Sequence, residues 1–226
     1  MRRIARTGDS LTVGYATLDG GAFARELAVP SFGPAVFVGG VTGPQGLHEG
    51  HGGWRINQIA KNIDGWIASS KPTDVALMIG TNDALSMETP GAALAELRTL
   101  VLHVLKLGPR VVLATIPPFA GALAKWNTWA AAYNAGIVQL VRELRAEGYS
   151  VELADVDKAV STADLAADGV HMTPAGYAKI ATVMGRATVG TSSKPSSSSS
   201  LTATEGILAV VAIVALWRLM KGRKRR

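Results

Sequence analysis

Two apolar runs do most to constrain the fold of this chain. Asp74–Ile79 is apolar throughout after its first residue and stops at Gly80. Arg110–Ile116 is nearly so and stops at Pro117-Pro118. Runs this short, with no polar alternation, read as strands buried on both faces, the pattern of a parallel sheet. Parallel neighbours need a crossover between them. The Ala- and Leu-rich stretch Pro90–Leu107, closed by Gly108-Pro109, reads as that crossover helix.

The rest of the chain repeats the alternation. Arg3–Gly8 reads as a first strand, unusually basic at its start, and Ala35–Val38 as a second that ends at Gly39-Gly40. Ser150–Leu153 reads as the fifth strand. Ala22–Ala28 makes a helical turn or two. Trp54–Ser69 carries Trp54, Ile56, Ile59, Ile63, Trp66 and Ile67 at helical spacing. Ala124–Glu147 is a long amphipathic helix with Gly148 at its end. Thr173-Pro174 opens a last helix to about Ala187, as cap and first helical residue. Strands alternating with helices predict a three-layer α/β/α domain of flavodoxin-like type with a five-stranded parallel sheet. Ligands of such sheets bind beyond the carboxyl ends of the strands.

Four separated segments bring chemistry to that edge. Gly8-Asp9-Ser10-Leu11-Thr12 places a serine on a sharp turn after the first strand, a candidate nucleophile. Asp168-Gly169-Val170-His171 holds a candidate general base, with a carboxylate three residues away to fix its tautomer. Between them lie Gly50-His51-Gly52-Gly53-Trp54 and Gly80-Thr81-Asn82-Asp83. A glycine N–H and an asparagine amide are the kind of donors a tetrahedral oxyanion needs. Each residue also has a plainer reading. Ser10 could be a turn residue, Asp168 a solvated turn acid, His171 a loop histidine at a helix start, and Asn82 a cap.

One serine, one glycine, one asparagine and one histidine in that order resemble the SGNH (GDSL) hydrolase superfamily. The resemblance covers roughly residues 3–187. The stretch Phe37-Val38-Gly39-Gly40, His48-Glu49-Gly50-His51-Gly52-Gly53-Trp54, Asn62-Ile63-Asp64-Gly65-Trp66 and Met78-Ile79-Gly80-Thr81-Asn82-Asp83 is similar to the acetylxylan esterases of carbohydrate esterase family three. The resemblance implies a serine esterase with Ser10, His171 and Asp168 as catalytic residues. It also implies an oxyanion hole of the Ser10 N–H, Gly53 and Asn82. Gly52 competes with Gly53, and the position directly before Trp54 favours Gly53. Asp9, His51 and Trp54 are candidate substrate contacts. Trp54 begins an amphipathic helix, so core packing is its alternative. Asp9 and Asp83 read more as braces of their loops than as reacting groups.

No cofactor or metal is expected. His48-Glu49-Gly50-His51 lacks the spacing that puts two histidines on one helix face, and its glycines oppose a helix. These residues read as a loop. His103, Trp126 and Trp129 read as structural. The chain has no Cys, which excludes a disulfide framework and a cysteine nucleophile.

The net charge of +6 belongs to one end. Arg218, Lys221, Arg223, Lys224, Arg225 and Arg226 supply it, and the rest of the chain balances 17 basic residues against 17 acidic ones. A neutral body gives no warrant for a nucleic-acid groove. Residues 188–206 read as a Ser-rich linker, and residues 207–226 as an apolar helix with a basic tail. The 14 residues of Ile207–Met220 would extend about 21 Å as a helix, short of the ~30 Å of a bilayer core. Membrane association, or a contact within a protein assembly, is the expectation. No signal peptide is expected, because no apolar segment follows the basic Met1–Arg6 before Ser10. A membrane or cell-surface location is expected, with topology and oligomeric state open.

Three functions compete at this point. The first is an esterase for short acyl groups, foremost O-acetyl on a carbohydrate. The second is a lysophospholipase or thioesterase, and the third is an inactive surface-anchored binding module.

Overall fold

The computed structural model describes residues 1–190. In chain order its elements are β1 (Arg2–Gly8), α1 (Ser10–Leu18), α2 (Ala22–Leu27), β2 (Ala35–Val38), β3 (Val41–Gly43), β4 (Gly46–Gly50) and α3 (Ile56–Ser70). Then come β5 (Asp74–Met78), α4 (Thr81–Leu85), α5 (Pro90–Lys106), β6 (Arg110–Ala114), α6 (Asn127–Ala146), β7 (Val151–Ala154), α7 (Val156–Ala159) and α8 (Pro174–Val189).

Five strands form the expected parallel sheet, in the order β2-β1-β5-β6-β7. Side chains alternate across it, as strand geometry demands. Val75 and Leu77 join one core with Val111, Leu113, Ile59 of α3, Leu97 of α5 and Ile137 of α6. Ala76 and Met78 join the other, with Val112, Ala114, Leu11 of α1, Phe23 of α2 and Ile180 of α8. Helices therefore cover both faces, and the domain has three layers. Burying a residue such as Ile59 or Leu97 stabilises such a domain by roughly 1.5–3 kcal/mol.

The sheet has seven strands, two more than expected. The antiparallel hairpin β3–β4 is the addition. Along one edge of β1, β2 pairs with the first half, and β4 with Thr7 and Gly8. His48, Glu49 and Gly50, expected in a loop, lie in β4. Leu47 is the only aliphatic side chain in that strand, so no hydrophobic pattern marks it. Two short helices, α1 and α4, were also not expected. A 3-10 turn over Gly121–Trp126 precedes α6, which starts at Asn127 rather than Ala124.

The basic start of β1 has a structural reason. Arg2 and Arg110 both pair with the buried Asp74 at the head of β5. Arg3 donates to the Ser70 and Lys71 carbonyls at the end of α3. Arg6 lies fully buried over the Phe37 ring, 3.8 Å from its centroid, and donates to the Gln45 and Leu47 carbonyls.

The last helix ends at Val189 with Gly190 as its left-handed cap, two residues past the expected domain end at 187. Most of the linker and all of the apolar segment Ile207–Met220 lie outside the described residues. Among the described residues no helix is long and apolar enough to cross a membrane.

Candidate active site

The site lies where β1, β4 and β5 end. β1 runs to Gly8, and Asp9 then caps α1 by accepting the Leu11 N–H at 2.9 Å through Oδ1. Ser10 is the first residue of α1, partly exposed at the carboxyl edge of the sheet. Gly8 comes so close to β5 that a Cβ there would stand 1.9 Å from the Met78 carbonyl oxygen. A side chain could not fit, which explains glycine in this place.

His171 comes to Ser10 from the loop before α8. Its Nε2 is 2.9 Å from Ser10 Oγ, across 161 residues of sequence. Its Nδ1 is 2.7 Å from Asp168 Oδ2. The other carboxylate oxygen, Oδ1, accepts the Val170 and His171 backbone N–H groups, each at 2.9 Å. The Val170 N–H, the His171 ring and the His171 N–H together lower the Asp168 pKa to about 2. Asp168 is thus held as a carboxylate, and it can orient the imidazole with Nε2 towards the serine. Thr173 fixes the base of this loop by capping α8 at Gly176.

Asn82 opens α4 and donates from Nδ2 to the Trp54 carbonyl at 3.0 Å. This bond ties it to the glycine loop. That loop is a turn in which the Trp54 N–H meets the His51 carbonyl. Gly53 sits at its third position with φ +77, while no positive φ occurs at Gly52. A left-handed value there is what a type II turn requires and what glycine supplies at no steric cost. The geometry therefore separates the two glycines. The turn hangs from β1 through the His51 N–H, which donates to the Gly8 carbonyl at 2.9 Å.

Of the three candidate substrate contacts, Asp9 is corrected. It is fully buried, so no substrate atom can reach it. Burial is the main cause that pushes its carboxyl up to about 7, with the Asp83 charge adding to it. Asp9 braces the turn under Ser10. His51 and Trp54 are partly exposed. Their rings stack at 4.2 Å between centroids, and Trp66 stacks on His51 at 4.9 Å. His51 Nε2 is 3.3 Å from Glu49 Oε2. Trp54 packs on the core along one side, as its core-packing alternative has it.

His48 is buried, and its Nδ1 accepts the Gly50 N–H. Burial first, then the Arg6 charge, lowers its pKa to about 4, which keeps it neutral. Glu49 accepts the Gly40 N–H. His48 and Glu49 are thus spent on shaping β4 and its turn. Glu49 is a support that the motif reading did not single out. Asp83 Oδ1 accepts the Ile56 N–H at the head of α3. Nothing in the spacing of these residues announces such partners.

Comparison with known proteins agrees with this geometry. Residues 7–179 match the GDSL-like Lipase/Acylhydrolase family. A protein of Acetivibrio thermocellus provisionally named endoglucanase X is 32% identical over 137 residues, 59% of this chain and 58% of that protein. The chain thus spans little more than half the length of that relative. A family 3 carbohydrate esterase from Clostridium thermocellum superposes with a TM-score of 0.72 at 28% identity, covering 84% of this chain and 96% of its own. A family 3 carbohydrate esterase from Talaromyces cellulolyticus gives 0.72 at 25% identity, covering 84% and 98%. A mutant acetyl esterase, solved with an acetate ion, gives 0.71 at 26% identity over the same shares. The chain belongs to the GDSL-like lipase/acylhydrolase family.

Proposed function

We propose that this chain removes short acyl groups, foremost O-acetyl groups from a carbohydrate, through an acyl-enzyme on Ser10. The observation that carries the reading is the hydrogen-bonded series Asp168–His171–Ser10 at the carboxyl edge of the sheet. The likeness to family 3 carbohydrate esterases supports the acetyl and carbohydrate parts of it.

In this mechanism Ser10 Oγ attacks the ester carbonyl carbon while His171 Nε2 takes its proton. The carbonyl oxygen becomes an oxyanion, met by the Ser10 N–H, the Gly53 N–H and the Asn82 Nδ2. The tetrahedral intermediate collapses, and His171 returns the proton to the leaving sugar hydroxyl. Water then attacks the acetyl-serine with His171 again as base, and acetate leaves as Ser10 regains its proton. Asp168 holds Nδ1 throughout and balances the imidazolium charge. The reaction itself uses no metal, because serine and histidine generate their own nucleophile. The Trp54–His51 surface offers an apolar ring face of the kind that packs on sugar rings.

The test is a rate series. The proposal expects acetate release from acetylated xylo-oligosaccharides, and model-ester rates that fall as the acyl chain lengthens beyond acetyl. Rates that rise steadily from acetyl to dodecanoyl would assign the enzyme to lipid esters instead.

A further inference from the structure

Behind the asparagine loop, three carboxylates from different elements converge. Asp83 is in α4, Glu88 is in the connection that follows, and Glu96 is in α5. One oxygen of each lies within 4.8 Å of the others. Among the described residues none of the three forms an ion pair with Lys, Arg or His. Like charges this close repel unless something positive stands between them.

The bonding of these side chains sharpens the question. Asp83 has no solvent exposure. Its Oδ1 is occupied by the Ile56 N–H, but its Oδ2 has no hydrogen-bond partner. Glu96 Oε2 is also buried and without a partner. Leaving a buried carboxylate oxygen unpaired is costly, so native structures rarely do it. Asp83 and Glu96 thus each bring to the cluster a carboxylate oxygen that no protein donor uses. Of the three, Glu96 also lines a groove of about 480 Å³ between α3 and α5, with Ile56, Asn57, Ala95 and His103 among its walls.

We propose that Asp83, Glu88 and Glu96 bind a hard divalent cation, calcium foremost. All donors are carboxylate oxygens, which suit calcium, magnesium or manganese rather than zinc or copper. Calcium holds oxygens at about 2.4 Å, so two ligands on opposite sides stand up to ~4.8 Å apart. Magnesium demands a near-ideal octahedron at ~2.1 Å and keeps several of its waters, so a cluster offering three protein carboxylates suits calcium better. The ion enters no step of the ester hydrolysis. Its role is structural: through Asp83 it joins the helix that carries Asn82 to the head of α3 and to α5. This inference does not depend on the esterase mechanism, and its test reads no turnover.

Titration calorimetry of the chelator-treated full chain with calcium chloride, near pH 8, tests it. One saturable site is expected, in the micromolar to sub-millimolar range. Calcium should raise the melting temperature of the same protein by several degrees. Glu96→Gln and Glu88→Gln should each weaken binding at least tenfold and remove the thermal shift. Glu88 lies in the connection between α4 and α5 rather than inside a helix, so its variant serves if the Glu96 change impairs folding. Absence of saturable heat up to about 10 mM calcium would overturn the site. So would binding that survives both substitutions unchanged.

Discussion

His171 Nε2 stands 2.9 Å from Ser10 Oγ, although 161 residues separate the two in sequence. The sheet makes this meeting. β1 delivers Ser10 to its carboxyl edge, and the loop before α8 folds back over the same edge. Asp168, three residues before the histidine, holds the far side of the ring. Ser10→Ala and His171→Ala should therefore each leave less than about a hundredth of the esterase rate, since such losses run to several powers of ten. Both side chains are partly exposed, so circular dichroism and melting temperature should stay near those of the parent. A Ser10→Ala protein that kept a tenth of the rate would remove the serine from the reaction.

Asn82 should act on turnover. Its Nδ2 already donates to the Trp54 carbonyl, which aims the amide at the turn holding Gly53. Asn82→Ala should lower kcat by ~10²–10³ with little change in KM, as for an oxyanion donor. A change confined to KM would make Asn82 a binding residue.

The two glycines of the turn should respond differently to alanine. Gly53 has φ +77, a value that costs an L-residue roughly 1 kcal/mol or more. Gly52 carries no such demand, and a Cβ at either position would meet open space. Gly53→Ala should therefore cut kcat through a displaced N–H, and Gly52→Ala should not. Steady-state kinetics of the pair decides this, and the reverse order would move the donor to Gly52.

Asp9 should give the fold a pH dependence. Its folded-state pKa is raised from 3.8 to about 7, so the native chain holds this proton more tightly than the unfolded chain. The stability it contributes is full below the unfolded value and is lost as pH rises towards about 7. Besides burial, the Asp83 and His171 charges reach it. Asp9→Asn keeps an oxygen for the Leu11 N–H but has no proton to lose. Urea midpoints should fall with pH in this window for the parent and fall less for the variant. Identical slopes would contradict the buried-acid account.

The tail is a separate proposal. Ile207–Met220 and the basic cluster after it should carry the full chain to anionic vesicles, while a chain ending at Gly190 should stay behind and keep its rate on small esters. Liposome flotation at low salt reads this. A full chain that remains at the bottom would turn the apolar segment into a protein contact.

Legibility in the sequence followed the strength of the local signal. Asp74–Met78 and Arg110–Ala114 were readable because every residue after the first in each faces one core or the other, and both ends carry turn residues. β4 was not, because its His and Glu side chains are held by hydrogen bonds and ion contacts that no periodicity encodes. α1 was hidden by Gly8-Asp9-Ser10, which reads as a turn and is also a helix cap. The motif residues Ser10, Asn82, Asp168 and His171 stood out because their chemistry is specific. Asp9 did not reveal its burial, since an exposed turn and a buried cap use the same residue. The carboxylate cluster was out of reach, because its members gather only once α4 and α5 pack.

The most direct test of the central claim is labelling with a serine-directed phosphonate, followed by peptide mass spectrometry. The account predicts one adduct, on Ser10, formed in proportion to the loss of esterase rate and far more slowly in His171→Ala. Full activity in a protein labelled at Ser10, or inactivation with the adduct on another residue, would contradict it.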